Sequence, residues 1–323
     1  MEVTAVAIPI REQTHVAEAR RHAEAAAGRA GFDETGAGRA AIVVTELATN
    51  LLKHAGGGEI VLDTAEGLQI LALDKGPGMG DVEACLADGY STGGTRGEGL
   101  GAIRRQSQAF EVYSRPGLGT AVLTRLTADG EPAPPKAWAS ICLPYPGETL
   151  SGDGCRVRND DGVATLMTVD GLGHGVFAHE ASMAALNAFD KHGFKALTEV
   201  LEYIHGALRA TRGAAVSIAR VHPGRIEFAG VGNVGGVLSV AGASRKMISH
   251  NGTLGHVAKR MQAFDYPTAG PPVVVLYSDG LGSSWQLEKY PGLTACDPAL
   301  IAGVLYRDFN RGRDDVTVLA LRG

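Results

Sequence analysis

The chain is poor in the features that mark several protein classes. Its four cysteines, Cys85, Cys142, Cys155 and Cys296, form no C-x-x-C pair, and 323 residues bury a core without covalent staples. Reduced thiols and a cytoplasmic setting are the expectation. There is no basic excess: 30 Lys and Arg stand against 35 Asp and Glu, a net charge of −5. No uniform positive field exists to hold nucleic acid, which is excluded as a partner. Long apolar runs are missing too. The strongest, residues 273–277, is far too short to cross a bilayer. Residues 1–11 lack the basic region and apolar stretch of a signal peptide, so no membrane partner is expected. No internal repeat and no G-X-Y period is present. What is abundant is glycine, 45 residues, close to twice the usual share. Glycine at that level serves tight turns or loops whose backbone approaches a ligand.

One linker divides the chain. Residues 128–136 read ADGEPAPPK, and prolines at that density block helix and sheet interior alike. The expected domains are therefore 1–127 and 137–323, joined by 128–136. In the first, residues 15–30 and 40–55 read as helices, with Gly36 and Gly38 ahead of the second. Residues 59–64, 68–74, 110–114 and 120–126 read as strands, and 100–109 as a short helix. That pattern predicts an α+β layer with helices on one face of a mixed sheet. The second domain reads as strands at 138–143, 155–159, 163–170, 214–221, 226–229, 236–240, 273–277 and 316–321. Helices at 176–189 and 195–209 interrupt them, which predicts a β-sandwich flanked by helices.

The first domain holds a constellation suited to a nucleotide. Glu46 and Asn50 lie four apart on one helix face, and Lys53 continues near it. A carboxylate and an amide so arranged can position a base and a divalent cation; a solvated helix face is the plain alternative. Asp74 closes an apolar strand and is followed by Gly76, Gly78 and Gly80. Such an aspartate can accept a hydrogen bond from an exocyclic amine while the glycines admit the ring and ribose, or it is an ordinary Asp-Gly turn. Gly97, Gly99 and Gly101 precede a helix whose exposed N–H groups suit phosphates. Thr120 opens the last strand, either to bond a base or as a β-former.

In this order and spacing, T-E-L-A-T-N (45–50), D-K-G-P-G-M (74–79), D-G-Y-S-T (88–92), G-E-G-L-G (97–101) and G-L-G-T (117–120) closely resemble the GHKL ATPase family. Within it they resemble the serine kinases that act as anti-sigma factors or as stressosome switch kinases. The resemblance implies a GHKL/Bergerat α/β sandwich. It also implies Glu46 as the residue activating the attacking hydroxyl, Asn50 as the Mg²⁺ ligand, Asp74 as the adenine reader and 97–101 as the phosphate loop. Glu98 departs from the apolar residue usual between those glycines.

In the second domain, acids sit beside glycines at strand ends: Asp153, Asp170, Asp279 and the pair Asp314 and Asp315. Apolar strands that deliver carboxylates to one rim gather like charges at a cost that cations relieve. Taken singly, each is equally read as a turn aspartate. Oxygen ligands favour Mg²⁺ or Mn²⁺ over zinc, and two hard cations suit phosphate-ester hydrolysis. The Asp-Gly, Ser-Asp-Gly and Asp-Asp-x-Thr-x-Leu motifs resemble the metal-dependent type 2C protein phosphatases, in the SpoIIE-like branch. This implies an αββα fold, with Asp170 bridging two metals, the Gly171 carbonyl beside it, Asp153 completing one site, and Asp279 and Asp314 completing the other. Asp315 is set aside because the first acid of the pair matches the family's ligand. Arg156 stands where many relatives have a second acid. It is read as a solvated strand arginine or a phosphate contact. His174, near the metal loop, is a candidate proton donor or a structural loop histidine.

The resemblances together imply ATP with Mg²⁺ and Mn²⁺, and opposed activities brought to one effective concentration. The chain is expected to phosphorylate and dephosphorylate serine or threonine on STAS-domain stressosome or antagonist proteins, and to meet a downstream effector. The alternative is a first domain that binds ATP and sequesters a partner without transfer, leaving only the phosphatase catalytic.

Overall fold

The computed structural model describes residues 5–65, 67–86 and 99–323. They form two compact units that meet in sequence at Lys136 and Ala137. Residues 128–136 are without helix or strand.

The first unit runs β1 (Ala5–Ile10), α1 (Gln13–Arg29), α2 (Glu34–Ala55), β2 (Gly58–Asp63), β3 (Leu68–Asp74), α3 (Val82–Leu86), α4 (Gly99–Gln106), β4 (Ala109–Ser114) and β5 (Thr120–Leu126). The alanines of α1 give it a thin buried face at Ala19, Ala23, Ala26 and Ala27. That face lets α2 approach with Val43, Val44, Leu47 and Leu51. The same cluster takes in Ile60, Leu62, Ile70 and Ala72 from the sheet. Each large apolar side chain buried there contributes about 1.5–3 kcal/mol. Helix α2 starts earlier than residue 40. The Asp33 carboxylate accepts from the Gly36 N–H at 2.7 Å, an N-cap that draws Gly36 and Gly38 into the helix. Gly56, at φ +70°, stops it.

The strand order is β1-β2-β3-β5-β4, and every pairing is antiparallel. The mixed sheet expected from the sequence is not found. β5 inserts between β3 and β4, so those two strands run the same way without ever pairing.

The second unit comprises β6 (Trp138–Leu143), β7 (Asp153–Asp160), β8 (Val163–Gly171), α5 (Val176–His192), α6 (Leu197–Ala207), β9 (Ala214–His222), β10 (Arg225–Val231), β11 (Gly235–Val240), β12 (Ala243–Met247), β13 (Ala263–Pro267), β14 (Pro272–Tyr277), α7 (Pro298–Phe309) and β15 (Val316–Arg322). Two five-stranded antiparallel sheets, β13-β10-β9-β8-β7 and β12-β11-β14-β15-β6, stack face to face. Between them lie Leu166, Phe228, Leu238, Val274, Leu276 and Leu319. The alternate residues Met167 and Val169 point the other way, into α5 and α6, as the period of two requires. Helix α7 covers the second sheet against β6 and β15, completing four layers.

Helix α7 and the strands β12 and β13 are additions to the sequence reading. From Pro298 to Tyr306 every residue of α7 is buried. A helix apolar on all sides carries no stripe to betray it. No helix among the described residues is long and apolar enough to cross a membrane.

Candidate nucleotide site and metal centre

In the first unit the sheet and α2 bring distant motifs together. Asp74 and Thr120 are cross-strand partners on β3 and β5. One carboxylate oxygen, Oδ1 of Asp74, accepts from the Gly76 N–H at 2.8 Å and the Thr120 N–H at 3.1 Å. Those two bonds fix a buried side chain at the mouth of the glycine loop. Ser114, which the sequence reading did not single out, organises the same corner. Its hydroxyl accepts from the Met79 N–H at 2.8 Å and lies 2.9 Å from Thr120 Oγ1. Its only sequence signal is its position opposite Thr120 in the β4–β5 hairpin.

Two glycines here allow no side chain. A Cβ on Gly76 would meet Ala55 at 2.7 Å, and one on Gly78, at φ +71°, would meet the Arg115 carbonyl at 2.0 Å. Glu46 and Asn50 are half-buried on α2, whereas Lys53 is exposed. Asn50 lies beside Gly99, whose Cβ would stand 3.4 Å from its side-chain nitrogen. Gly101 is buried in α4, two residues on. The amide on α2 and the start of α4 thus share one corner, a cradle whose glycines leave room for a nucleotide. Gly97, Glu98 and the 88–92 stretch lie outside the described residues.

In the second unit Asp153 and Asp170 are direct cross-strand partners at the ends of β7 and β8. Asp153 is only 6% exposed. Asp279 follows β14, and Asp314 and Asp315 precede β15, so adjacent strands of the other sheet reach the same rim. Burial, then the charges of Asp279, Asp314 and Asp315, push the Asp170 carboxyl up to about 7. The Asp279 backbone N–H donates to it and partly offsets the rise. Asp153 is held well above the usual carboxylate range, first by burial and then by Asp170. Asp314 and Asp315 are raised by burial first as well. Like charges held this close disfavour ionisation.

The buried atoms Asp153 Oδ2, Asp170 Oδ2 and Asp315 Oδ2 have no hydrogen-bond donor. A buried carboxylate oxygen without a partner is costly, and hard cations satisfy such oxygens. These residues therefore fit divalent metal. The acids share a rim without closing on one point. Among the described residues no group of three or more His, Cys, Asp or Glu is drawn tightly enough to hold an ion as it stands. Each outlying acid is held by another donor. Asn233 donates to Asp279 Oδ2, the Asp315 N–H to Asp314 Oδ1 at 3.0 Å, and the Tyr145 N–H to Asp315 Oδ1 at 2.8 Å. Asp315 is thus committed to the loop before β7. Gly171 must be glycine, because a Cβ would stand 2.3 Å from the Ala178 carbonyl.

Arg156, weighed as a phosphate contact, forms an ion pair with Asp190 on α5, at 3.2 Å. His174 is tied by Nδ1 to Glu148 and stacks on Tyr145 with ring centroids 4.7 Å apart. Asn233 lies inside the A-G-V-G-N-V stretch (229–234) without a role predicted for it, and no role is predicted for Tyr145 or Glu148. Asn233 lies in the glycine-bounded turn between β10 and β11, a weak signal; the other two sit in an irregular loop with none.

A family model for the histidine kinase-like ATPase domain matches residues 10–126. The serine/threonine-protein kinase RsbT of Bacillus subtilis is 32% identical over 120 residues, covering 36% of this chain and 90% of RsbT. The phosphoserine phosphatase RsbX of the same organism is 25% identical over 138 residues, 42% of this chain and 69% of RsbX. A solved chain from a study of the bacterial stressosome, a modular system adapted to control secondary messenger signaling, matches with a TM-score of 0.53 and 25% identity. It covers 57% of this chain and 97% of its own length. The crystal structure of RsbX in complex with magnesium matches with a TM-score of 0.51 at 20% identity, covering 58% of this chain and 94% of that one; this likeness is one of fold. The matched ATPase domain supports ATP in general terms.

Proposed function

The chain belongs to the histidine kinase-like ATPase family, in the group of the RsbT kinase, and from that premise we propose a bifunctional regulator that phosphorylates and dephosphorylates serine or threonine on STAS-domain proteins of a stressosome-type system. In this reading 1–127 is the kinase domain, 128–136 the linker and 137–323 the phosphatase domain.

In the kinase domain, Asp74 receives the exocyclic amine of adenine, and Gly76 and Gly78 admit the ring. Asn50 would hold Mg²⁺, and the 97–101 loop would take the phosphates. Glu46, one turn before Asn50, accepts the proton of the attacking hydroxyl. In the phosphatase domain, Asp153, Asp170, Asp279, Asp314 and the Gly171 carbonyl would hold Mg²⁺ or Mn²⁺. When bound, these ions supply activation of water and shielding of the phosphate oxygens. The protein's own contribution is the rigid presentation of carboxylates from two sheets at one rim. Asn233 orients Asp279, and the Tyr145 N–H holds Asp315.

One observation carries the reading. Asp153 opposes Asp170 on adjacent strands, their buried Oδ2 atoms lack donors, and three further acids act on the pair. Such an arrangement is destabilising without a cation. Its coexistence with an ATPase domain in one chain supports opposed phosphate chemistry on a shared target.

The test uses the full chain, labelled ATP and a STAS-domain protein. Label is expected to reach a serine or threonine of that protein and to fail in Glu46→Ala. Mn²⁺-dependent removal of the label is expected to fail in Asp170→Asn. ATP binding without transfer overturns the kinase half in favour of an ATP-gated binding module. No metal-dependent hydrolysis overturns the phosphatase half.

A further inference from the structure

Helix α5 and the loop before it carry an unusual lip. Leu172, Val176 and Phe177 are 56%, 56% and 57% exposed. They account for three of the eight large apolar side chains that stand exposed among the described residues, and they fall within six positions that start two residues after Asp170. Scattered apolar residues on a surface need no explanation; three exposed within six positions, directly after Asp170 and Gly171, do.

Arg212 lies on this lip. Its guanidinium stacks over the Phe177 ring at 4.8 Å. Its Nη1 stands 3.2 Å from where a Cβ on Gly173 would be. The backbone on either side is clamped. Leu172 N–H donates to the Gly213 carbonyl at 3.0 Å, Gly213 N–H to Thr211 Oγ1 at 3.0 Å, and the His256 ring lies 2.9 Å, Nε2 to O, from the Arg212 carbonyl. The residue is exposed, and among the described residues no carboxylate pairs with it. A cation beside a rim of aspartates, held by an aromatic face rather than by an acid, keeps its charge available for an anion.

We infer that this lip is the docking surface for the phosphorylated segment of the protein substrate: Arg212 receives the phosphate dianion, and Leu172, Val176 and Phe177 receive apolar residues beside the phosphoserine or phosphothreonine. The inference rests on the phosphatase reading and adds its substrate recognition. Continuity favours this occupant, because the lip is built on the loop that leads from Asp170 and Gly171. Charge complementarity also favours it, because a guanidinium fork matches phosphate oxygens. Stacking removes rotamer freedom from Arg212 before the substrate arrives, which lowers the cost of binding.

The experiment uses the full chain with Mn²⁺ and three probes. These are p-nitrophenyl phosphate, a phosphoserine peptide flanked by Leu and Val, and the same peptide flanked by Gly and Asp. The native chain is expected to favour the apolar peptide over the polar one by about tenfold in kcat/KM. The double variant Leu172→Ser, Phe177→Ser is expected to erase that preference. Arg212→Ala is expected to raise KM about tenfold for all three probes and the inhibition constant of inorganic phosphate with it, leaving kcat near native. Arg212→Lys, which keeps the charge and loses the fork, is expected to fall between. Anisotropy of the labelled apolar peptide on the Asp170→Asn chain reads binding without turnover and is expected to weaken in both sets of variants. Leu172, Phe177 and Arg212 are exposed, and a thermal midpoint unchanged from that of the parent chain, native or Asp170→Asn, establishes that these variants are folded.

Equal rates on the two peptides, or unchanged KM in Arg212→Ala, overturn the docking role while the phosphatase reading survives. No hydrolysis of any probe by the native chain overturns both.

Discussion

Asp153 and Asp170, 17 positions apart in sequence, face each other directly across the β7–β8 ladder. Like charges opposed on neighbouring strands are destabilising. Here both are buried enough for their carboxyls to be raised, Asp170 to about 7. The pairing places an electrostatic penalty in the fold that a bound cation would relieve.

That penalty has a pH signature. Asp153, Asp170, Asp314 and Asp315 all titrate above their ordinary value in the folded state. Each therefore contributes stability that is full below the unfolded carboxylate range, near pH 4, and is lost as pH rises through the folded value, near 7 for Asp170. With chelator present, the thermal midpoint of the phosphatase transition is expected to fall between pH 5 and pH 8. With saturating Mn²⁺ the trend is expected to reverse, because metal binding requires the ionised ligands. A chelated midpoint that climbs over the same range would contradict the arrangement.

Asp170→Asn removes one of the opposed charges. In chelator at pH 8 it is expected to stabilise the chain by roughly 1–3 kcal/mol. The Mn²⁺-induced rise in midpoint is expected to disappear in the same variant. Differential scanning calorimetry with and without Mn²⁺ reads both effects.

Asn233 holds Asp279 from outside the acid set. Partners of this kind typically change metal affinity by 10–100-fold. Asn233→Ala is expected to weaken Mn²⁺ binding by about tenfold in a calorimetric titration, with little change in the chelated midpoint because Asn233 is exposed.

Asp74, the proposed adenine contact, also holds the corner of the sheet through the Gly76 and Thr120 N–H groups. Asp74→Ala leaves the Gly76 and Thr120 N–H groups without their shared acceptor, at a cost of about 1–3 kcal/mol. Asp74→Asn keeps an oxygen for those donors and loses the charge. It is expected to retain most of the stability while ATP affinity, read with a fluorescent analogue, falls at least tenfold in both variants.

Gly171→Ala tests the backbone at the metal loop. Its Cβ would collide with the Ala178 carbonyl and approach that of Gly152. The expected loss is about 1–3 kcal/mol, with Mn²⁺-dependent hydrolysis of p-nitrophenyl phosphate lost as well.

Much of this was legible from local pattern. The Pro-rich stretch, the alternation in β8, the apolar face of α2 and the glycine-flanked acids are written in short windows, because helix and strand periods act over a few residues. Helix α7 was illegible because its burial is complete. The extension of α2 through Gly36 and Gly38 depended on one capping carboxylate, and the antiparallel sense of the first sheet on where β5 inserts. Ser114, Tyr145 and Glu148 carry no motif; they matter through what they touch.

Residue type and spacing along the chain suffice to mark the acids at the strand ends and the glycines beside them. That Asp153 opposes Asp170, that the Tyr145 N–H holds Asp315, that Gly76, Gly78 and Gly171 admit no Cβ, and that Arg212 stands on Phe177 emerge with the folded chain. The physical reason is that the chemistry of a side chain is set by its type, whereas its ionisation and its partners are set by charges and donors from other strands. Those neighbours are distant along the chain and adjacent only once the sheets have stacked.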